Sequence, residues 1–314
     1  MKHVVCFSGG KDSTALVLWA KENLPEFTTV FCDTGWEHPI TYAYIDEINR
    51  TLLDGSLVRI KSVKYSEGFV QLCVERKGIP STKRRFCTQE LKVYPLHTYF
   101  ELLDDEVTSY QGIRADESIS RASMIEKQWI DDAGGYWINR PLLKWTVEDV
   151  FNIHRKHGIK PNPLYLIGSS RVGCFPCIMT GLGELKRLLV NTPEIRQRII
   201  DLEKTVTEAN PVGETRKWPS TFFKAGTIPA RFCSVSGPTM TCECGHRLHD
   251  GERCIAMVAT MEEDQEICGC ENSIARIAFV PTAEDVFRYI ESVDEDQLPM
   301  FPARSCMSVY NLCE

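Results

Sequence analysis

The stretch that decides the fold is Ser8-Gly9-Gly10-Lys11-Asp12-Ser13-Thr14, which lies between two apolar segments. The preceding segment, His3-Val4-Val5-Cys6-Phe7, predicts a buried strand, and the following one, Thr14-Ala15-Leu16-Val17-Leu18-Trp19-Ala20, predicts a helix. A strand, a glycine-rich turn and a helix N-terminus form an anion site, because glycines let the backbone come close and the helix dipole favours negative charge. Lys11 adds a positive charge suited to phosphate oxygens. We therefore predict that all seven residues of this loop bind a phosphorylated cofactor.

Composition limits the class of protein. The chain has 314 residues, enough for one large domain with a small appendage, and a net charge of −7 that argues against broad nonspecific nucleic-acid binding. We find no signal-peptide pattern and no apolar run long enough for a bilayer, so we expect a cytoplasmic protein without a membrane partner. In a reducing compartment, 14 cysteines indicate metal, iron–sulfur or redox chemistry rather than disulfides.

Strand-like and helix-like segments alternate in the first half of the chain. Strands are predicted at 28–32, 57–60 and 107–113, and helices at 41–49 and 68–76. This order predicts an α/β fold with a doubly wound, mostly parallel sheet and helices on both faces. Because ligands bind at the carboxyl ends of parallel strands, we expect Gly9, Asp33 and Arg114 to converge on one edge.

The second half contains further helices and then changes in character. Helices are predicted at 146–157, 193–209 and 282–292, the first starting with a capping pattern at Thr146. From about residue 228, Gly, Pro and Cys become frequent and periodicity weakens. We therefore predict two domains, a nucleotide-binding domain over 1–225 and a small Cys-rich module with a terminal helix over 226–314.

The loop resembles the PP-loop, S-G-G-K-D-S, of the N-type ATP pyrophosphatases, and three further blocks resemble the phosphoadenosine-phosphosulfate (PAPS) reductase family of that superfamily. These blocks are Phe31–Pro39, Gly112–Ser118 with Arg121, and the segment from Arg140 to Cys177 that includes Asn162-Pro163-Leu164-Tyr165. The resemblance covers roughly residues 1–205. It implies a HUP-like PP-loop fold with ATP or an adenylyl sulfate as the ligand.

The family contains two chemistries. Its sulfonucleotide reductases have a degraded phosphate loop and a nucleophilic cysteine in Glu-Cys-Gly-x-His, whereas its other branch, which includes DndC-like proteins, uses ATP to activate an acceptor for sulfur insertion. Lys11, Asp12 and Glu37 resemble the ATP-using branch, and Glu243-Cys244-Gly245-His246 matches the reductase motif only in part. A PAPS or adenylyl-sulfate reductase stays open as an alternative, as does a regulatory nucleotide-binding protein without turnover.

Two groups of cysteines resemble metal ligands. The resemblance implies iron–sulfur ligands at Cys174, Cys177 and Cys87, and Cys233 is our prediction for a fourth ligand of a [4Fe-4S] cluster. A zinc site or unliganded thiols are alternatives here. The second group predicts a small zinc site, with a second iron–sulfur centre or plain thiols as alternatives. Its members are Cys242, Cys244, Cys254, Cys268 and Cys270.

The predicted mechanism starts from ATP–Mg²⁺ with its pyrophosphate in the loop. Lys11 stabilises the leaving pyrophosphate, and Asp12 and Asp33 help to hold Mg²⁺ or the nucleotide. The third block, which begins at Gly112, completes the cofactor site. Arg114 and Arg121 contact the α-phosphate or the acceptor, and Glu117 either orients Arg114 or positions the acceptor. The predicted catalytic residues are Lys11, Asp12, Asp33, Arg114 and Glu117.

The resemblance also implies partners. The acceptor is expected to be a nucleic acid, either DNA or tRNA, with a small metabolite as the alternative, and the basic run Lys83-Arg84-Arg85 would attract an anionic substrate. The resemblance further implies a cysteine desulfurase or another sulfur donor, and a homodimer.

Overall fold

The computed structural model describes residues 1–82, 84–213, 218–242, 273–294 and 298. Its main feature is a six-stranded sheet with the strand order β3-β2-β1-β4-β6-β5. Neighbouring strands are parallel except for β5, which pairs antiparallel with β6. The strands are β1 (Lys2–Cys6), β2 (Thr28–Cys32), β3 (Val58–Ile60), β4 (Val107–Tyr110), β5 (Lys127–Ile130) and β6 (Tyr136–Asn139).

Helices cover both faces of this sheet and extend beyond its carboxyl edge. Their bounds are α1 (Lys11–Asn23), α2 (Pro39–Thr51), α3 (Phe69–Glu75), α4 (Phe86–Thr88), α5 (Tyr94–Leu102), α6 (Ile119–Ala122), α7 (Val147–His157), α8 (Leu182–Asn191), α9 (Glu194–Ala209) and α10 (Ala283–Ser292). A π-helical segment, Gln89–Val93, joins α4 to α5. A separate antiparallel pair is formed by β7 (Val235–Cys242) and β8 (Ser273–Val280).

Burial explains why the sheet forms. Side chains of β1 alternate between two cores: Val5 packs with α1 and α2 on one face, and Val4 packs with α5 on the other. Both are fully buried, as expected for a central parallel strand. The predicted doubly wound α/β fold is confirmed. The switch in strand order falls between β1 and β4, which is where open sheets of this kind bind ligands.

Several elements were not predicted from the sequence, among them α5, α8, β7, β8, the β5–β6 hairpin and the π-helical segment. The β5–β6 hairpin turns through residues 133–135, all with positive φ, and a Cβ at Gly135 would lie 2.2 Å from Trp129. The π-helical segment inserts one extra residue per turn, so it alters which side chains of the 86–102 region face the sheet. It buries Lys92, only 7% of whose surface is exposed.

The C-terminal helix belongs to a helical layer with α8 and α9. Val286, Phe287 and Ile290 of α10 share one hydrophobic cluster with Leu188 and Ile199. Within this layer, buried Glu203 accepts hydrogen bonds from the backbone N–H of Phe222 and Ala283, at 2.7 and 2.8 Å. Burial raises the pKa of this carboxyl to about 7. The domain boundary at residue 225 stays a prediction, since residues 243–272 lie outside the described residues.

Within the described ranges, none of the helices combines the length and the apolar character needed to cross a membrane.

Candidate functional site

The loop between β1 and α1 is held in shape by Ser13. Its Oγ accepts hydrogen bonds from the backbone N–H of Ser8 and Gly10, at 3.2 and 3.1 Å, and donates to the carbonyl of Gly10 at 3.0 Å. Gly9 has φ +77°, and a Cβ there would lie 3.1 Å from Ile45. Thr14 is buried and donates to the carbonyl of Gly10 at 2.9 Å. These hydrogen bonds within the protein therefore hold the loop in its conformation.

A chain of alternating charges starts in this loop. Lys11 Nζ lies 2.6 Å from Asp12 Oδ2, and the other oxygen of Asp12 pairs with Arg114 Nε. Arg114 also forms a bidentate pair with Asp116, with both distances 2.6 Å. Asp12 is fully buried, so removing either cation would leave part of its charge uncompensated. The structure thus brings together three predicted catalytic residues, with Asp12 holding both cations.

The segment after β4 lies directly against the loop. Gly112 permits this approach, because a Cβ there would meet the carbonyl oxygen of Asp12 at 2.9 Å. Glu117 accepts a hydrogen bond from the backbone N–H of Arg114 at 3.2 Å and pairs with the buried guanidinium of Arg121. Glu117 therefore contacts both arginines, Arg114 through its backbone and Arg121 through its side chain, and its role in the reaction stays a prediction.

Three residues missed by the sequence reasoning contact the loop from outside. Tyr165 OH accepts the backbone N–H of Lys11 at 3.0 Å, and its ring lies 5.5 Å from Lys11 Nζ. His154 Nε2 lies 2.8 Å from the carbonyl of Lys11, and Asn162 Nδ2 donates to the carbonyl of Gly9 at 3.2 Å. The resemblance contained Asn162 and Tyr165, but only the fold shows what they contact.

A cleft opens at the carboxyl ends of β1, β2 and β4. Its apolar wall includes Phe7, Phe31 and Ile113, which suits a flat ring, and its polar groups include Glu37 and Gln111. Burial raises the pKa of the Cys6 thiol, which lines the cleft, to about 11. Of the predicted site residues, those that line it are Ser8, Ser13, Gly112 and Arg121. Lys11, Asp12 and Arg114 lie beside the cleft in the charge chain.

Asp33 belongs to a second polar network that follows β2. Tyr42 OH lies 2.7 Å from Asp33 Oδ1 and 2.9 Å from Glu37 Oε2, while Lys61 lies 3.4 Å from the other Asp33 oxygen. Burial, together with the two carboxylates, raises the pKa of Tyr42 above its ordinary value, so its hydroxyl stays protonated. Thr34 donates to Glu37 Oε1 at 2.6 Å. Asp33 therefore stands near the cleft but apart from Asp12.

Cys87, Cys174 and Cys177 line one cavity, although Cys87 and Cys174 are 87 positions apart in the sequence. Its other walls include Phe69, Leu91 and Arg85. The bend at 174–177, called the cysteine hairpin below, is fixed to the segment that follows β2. Phe175 N–H donates to the carbonyl of Trp36 at 2.7 Å, and Trp36 Nε1 donates to the carbonyl of Pro176 at 3.0 Å.

The cavity lies beside the cleft. Thr34 lines the cavity, Glu37 lines the cleft, and the two side chains are hydrogen bonded to each other. Cys174 Sγ lies 3.6 Å from Thr34 Oγ1. Lys92, which the sequence reasoning missed, lines both spaces.

The cysteine predictions can be compared with this geometry. Three thiols on one cavity match the donor chemistry of an iron–sulfur cluster, although no three His, Cys, Asp or Glu in the described part of the chain are placed to hold a single metal ion. Cys233 is not among the residues that line the cavity, and it lies near Asp285 instead. In the predicted zinc group, Cys242 ends β7, and Cys244, Cys254, Cys268 and Cys270 lie outside the described residues.

Comparisons with known proteins show which family this chain resembles. Residues 2–180 match the model of the phosphoadenosine phosphosulfate reductase domain. An uncharacterised protein of Escherichia phage 186 is 36% identical, over 70% of this chain and 79% of the relative. The adenosine 5'-phosphosulfate reductase of Streptomyces coelicolor is 27% identical, over 55% of this chain and 70% of the relative.

Among solved structures, the phosphoadenylyl-sulfate reductase of Candida auris is 16% identical, with a TM-score of 0.43 over 56% of this chain and 83% of that one. The family match spans more than half of the chain and contains the loop, the charge chain and the cysteine hairpin. This chain belongs to the phosphoadenosine phosphosulfate reductase domain family.

Proposed function

We propose that this protein binds ATP–Mg²⁺ in the cleft, splits it between the α and β phosphates, and uses the AMP moiety to activate an acceptor for sulfur insertion. The observation that carries the proposal is the complete loop Ser8–Thr14, folded at the N-terminus of α1 with Lys11 and Arg114 held beside it by Asp12. A helix N-terminus with adjacent cations favours a polyphosphate.

Each charged residue has a role in this proposal. Lys11 stabilises the charge that develops on the leaving pyrophosphate, and Arg121, which lines the cleft, contacts the α-phosphate. Arg114 supports both through Asp12 and Glu117. The carboxylates of Asp12 and Asp33 reduce the positive charge of the site, so we expect ATP to enter with its own Mg²⁺, which needs only one or two protein carboxylates.

We also propose that Cys87, Cys174 and Cys177 hold a [4Fe-4S] cluster. The support is their position on one cavity beside the cleft. Such a cluster would supply a thiophilic centre for the sulfur that is inserted. The chain's own contribution is the segment 34–37, in which Thr34 lines the cavity, Glu37 lines the cleft, and the two side chains are hydrogen bonded to each other.

The acceptor in this proposal is a nucleic acid, DNA or tRNA, and the sulfur comes from a cysteine desulfurase or a similar donor. Arg85 lines the cysteine cavity and the adjacent Arg84 is exposed, which supports an anionic acceptor at that mouth. A homodimer and a zinc-binding module within 226–314 remain part of the same proposal.

A second candidate is an adenylyl-sulfate or PAPS reductase that forms sulfite. It is favoured by the similarity to the Streptomyces coelicolor enzyme. The two candidates differ in the nucleotide that they consume, because the reductase needs a sulfonucleotide and releases no pyrophosphate.

The test is pyrophosphate release from ATP–Mg²⁺ by the anaerobically purified protein, with calorimetric titrations of ATP and PAPS side by side. We expect ATP to be preferred and Lys11→Ala to lower pyrophosphate release by about 10²–10³-fold, the usual cost of losing one stabilising charge. Lys204→Ala, on the exposed side of α9, is the matched control and should behave like the wild type.

Three outcomes would contradict the proposal. Unchanged turnover in Lys11→Ala removes Lys11 from the mechanism. A preference for PAPS with sulfite formation supports the reductase instead. Tight ATP binding without any AMP, under all acceptor conditions, supports a regulatory nucleotide-binding protein.

A further inference from the structure

The outer edge of the sheet carries an exposed aromatic pair. β5 is the last strand in the sheet order, and among the described residues only β6 pairs with it. Trp129 of β5 lies directly opposite Trp137 of β6, and their ring centroids are 5.4 Å apart in an edge-to-face arrangement. The two residues are 45% and 39% exposed. Two large aromatic side chains in water beside an open strand edge indicate a surface that another chain covers.

The exposed pair belongs to a row of side chains that crosses the sheet. The register places His3 of β1 opposite Thr108 of β4, and Thr108 opposite Trp137. Because residues paired across strands share one face, His3, Thr108, Trp137 and Trp129 form one line over four strands. Met1 Sδ lies 3.7 Å from Thr108 Oγ1 and joins this line. The line reaches the open edge at Trp129, where a further strand would extend it.

The charges at this edge are complementary to a second copy of themselves. Lys127 and Asp131 flank Trp129, each two residues away, so alternation along the strand directs all three to the exposed face. Lys127 and Asp131 are both exposed, and neither forms an ion pair with another described residue. A lysine on an edge strand discourages pairing when it meets a like charge. Here an acidic residue of the same face is placed to meet it.

Antiparallel pairing of two β5 strands, with Trp129 opposite its own copy, satisfies these groups. Lys127 then lies opposite Asp131 of the second copy, and the reverse pair forms on the other side of the two-fold axis. A register with Gln128 opposite its copy would put Lys127 opposite Trp129 and leave both aspartates without a cation. A nucleic acid fits this edge poorly, because three of the four charged residues in 126–132 are acidic.

We propose that two copies of this protein associate through β5, edge to edge and antiparallel, with Trp129 at the two-fold axis. The two six-stranded sheets then join into one continuous sheet, and the line of exposed side chains runs across both copies. This inference rests on the proposed function only for the homodimer, and it states which surface forms it. Because the axis reverses the strand direction, the two nucleotide clefts lie at opposite ends of the joined sheet.

The test is sedimentation velocity of the full chain over a range of concentrations, with charge reversals at the edge. Lys127→Asp brings two aspartates opposite each other and Asp131→Lys brings two lysines, so each variant should raise the dimer dissociation constant at least about tenfold. The double variant Lys127→Asp/Asp131→Lys exchanges the charges and should dimerise like the wild type. Lys204→Asp, exposed on α9, is the matched control and should not change the association.

A mixture of the two single variants tests the register. The Lys127→Asp chain carries aspartates at both positions and the Asp131→Lys chain carries lysines, so together they form two attractive pairs. We expect a heterodimer at concentrations where each variant alone is monomeric. If neither the mixture nor the double variant recovers association, the proposed pairing is wrong. Thermal unfolding of all variants should match the wild type, because both positions are exposed, and this excludes misfolding as the cause.

Pyrophosphate release from ATP–Mg²⁺ separates this inference from the rest of the proposed function. The charge variants should keep wild-type turnover, because no residue of β5 lines the cleft. Sedimentation does not depend on turnover, so it decides the dimer even if no pyrophosphate forms. A dimer that no charge reversal weakens would place the homodimer on another surface and overturn this inference alone. A wild-type protein that stays monomeric at all concentrations would overturn both the inference and the homodimer, without affecting the ATP test.

Discussion

The nucleotide cleft and the cysteine cavity lie side by side, yet they are built in different ways. In the loop beside the cleft, the N–H groups of Ser8, Gly10 and Lys11 already donate to side chains of the protein, and Asp12 neutralises two cations. The cysteine cavity instead has thiols set among apolar walls such as Phe69 and Leu91. The loop N–H groups are hydrogen bonded within the protein, whereas the cysteine cavity presents thiols among mainly apolar side chains.

This difference has a consequence for ligand binding. A phosphate that enters the loop must exchange with partners that are already present, so binding there is a competition between protein groups and ligand oxygens. A cluster in the cavity would displace little polar structure, but it would need the hairpin and Cys87 to stay in place. The link between the two regions is the short Thr34–Glu37 hydrogen bond.

The largest expected effect is the loss of the proposed cluster when a cysteine of the cavity is replaced. Cys174→Ser should remove most of the iron and inorganic sulfide from the anaerobically purified protein, because a hydroxyl is a much weaker cluster ligand than a thiolate. Iron analysis and visible absorption measure this. ATP binding should change far less, since the loop residues do not depend on Cys174.

Cys233→Ser serves as the control and also tests the predicted fourth ligand. Because Cys233 does not line the cavity, this variant should retain its iron. Loss of iron from Cys233→Ser would identify it as a ligand after all. Full iron content in Cys174→Ser would contradict the proposed cluster site.

A smaller effect, on the free energy of unfolding, is expected when the Thr34–Glu37 hydrogen bond is removed. Thr34→Val keeps the shape of the side chain but removes the hydroxyl that donates to buried Glu37, so we expect a loss of about 1–3 kcal/mol in the free energy of unfolding. Thr41→Val is the matched control: Thr41 is also buried, but its hydroxyl has no hydrogen-bond partner among the described residues. That variant should be neutral or slightly stabilising. Equal stability of both variants in denaturant titrations would refute the role of the link.

The smallest expected effect is on the affinity of the loop for ATP. Tyr165→Phe removes the hydroxyl that occupies the Lys11 N–H, so ATP should bind a few-fold more tightly because it no longer competes for this donor. Tyr136→Phe is the control, since Tyr136 OH pairs with His97 Nε2 at 3.1 Å and not with a loop amide. Weaker ATP binding in Tyr165→Phe would mean that the hydroxyl contacts the nucleotide directly.

Much of the fold could be predicted from local patterns. The strand at 28–32 was predicted with the bounds that the structure shows, and the helices at 146–157 and 282–292 both start at capping boxes of Thr146 and Thr282. These signals succeed because a strand alternates or buries its residues, and a cap satisfies the first amides of a helix locally. The β5–β6 hairpin and the π-helical segment were missed, because their turns and extra residue have no comparable pattern.

The candidate site was predictable in part. Position after a strand correctly indicated that Gly9, Asp33 and Arg114 follow β1, β2 and β4 at one edge of the sheet. It did not indicate that Asp12 would pair with Arg114, or that Asp33 would join Tyr42 in a separate network. Those pairings depend on side-chain directions that only the packed sheet defines.

The sequence by itself determined the alternation of strands and helices in the first part of the chain, the loop Ser8–Thr14 and the spacing of Cys174 and Cys177, because each depends on residues that are neighbours in the chain. Only the tertiary structure decided that Cys87 joins the cysteine hairpin on one cavity, that Tyr165 contacts Lys11, and that Lys92 is buried between the cleft and the cysteines. The physical reason is distance along the chain. Contacts between residues far apart in sequence form only when the whole core packs, and no local pattern records which partners that packing will select.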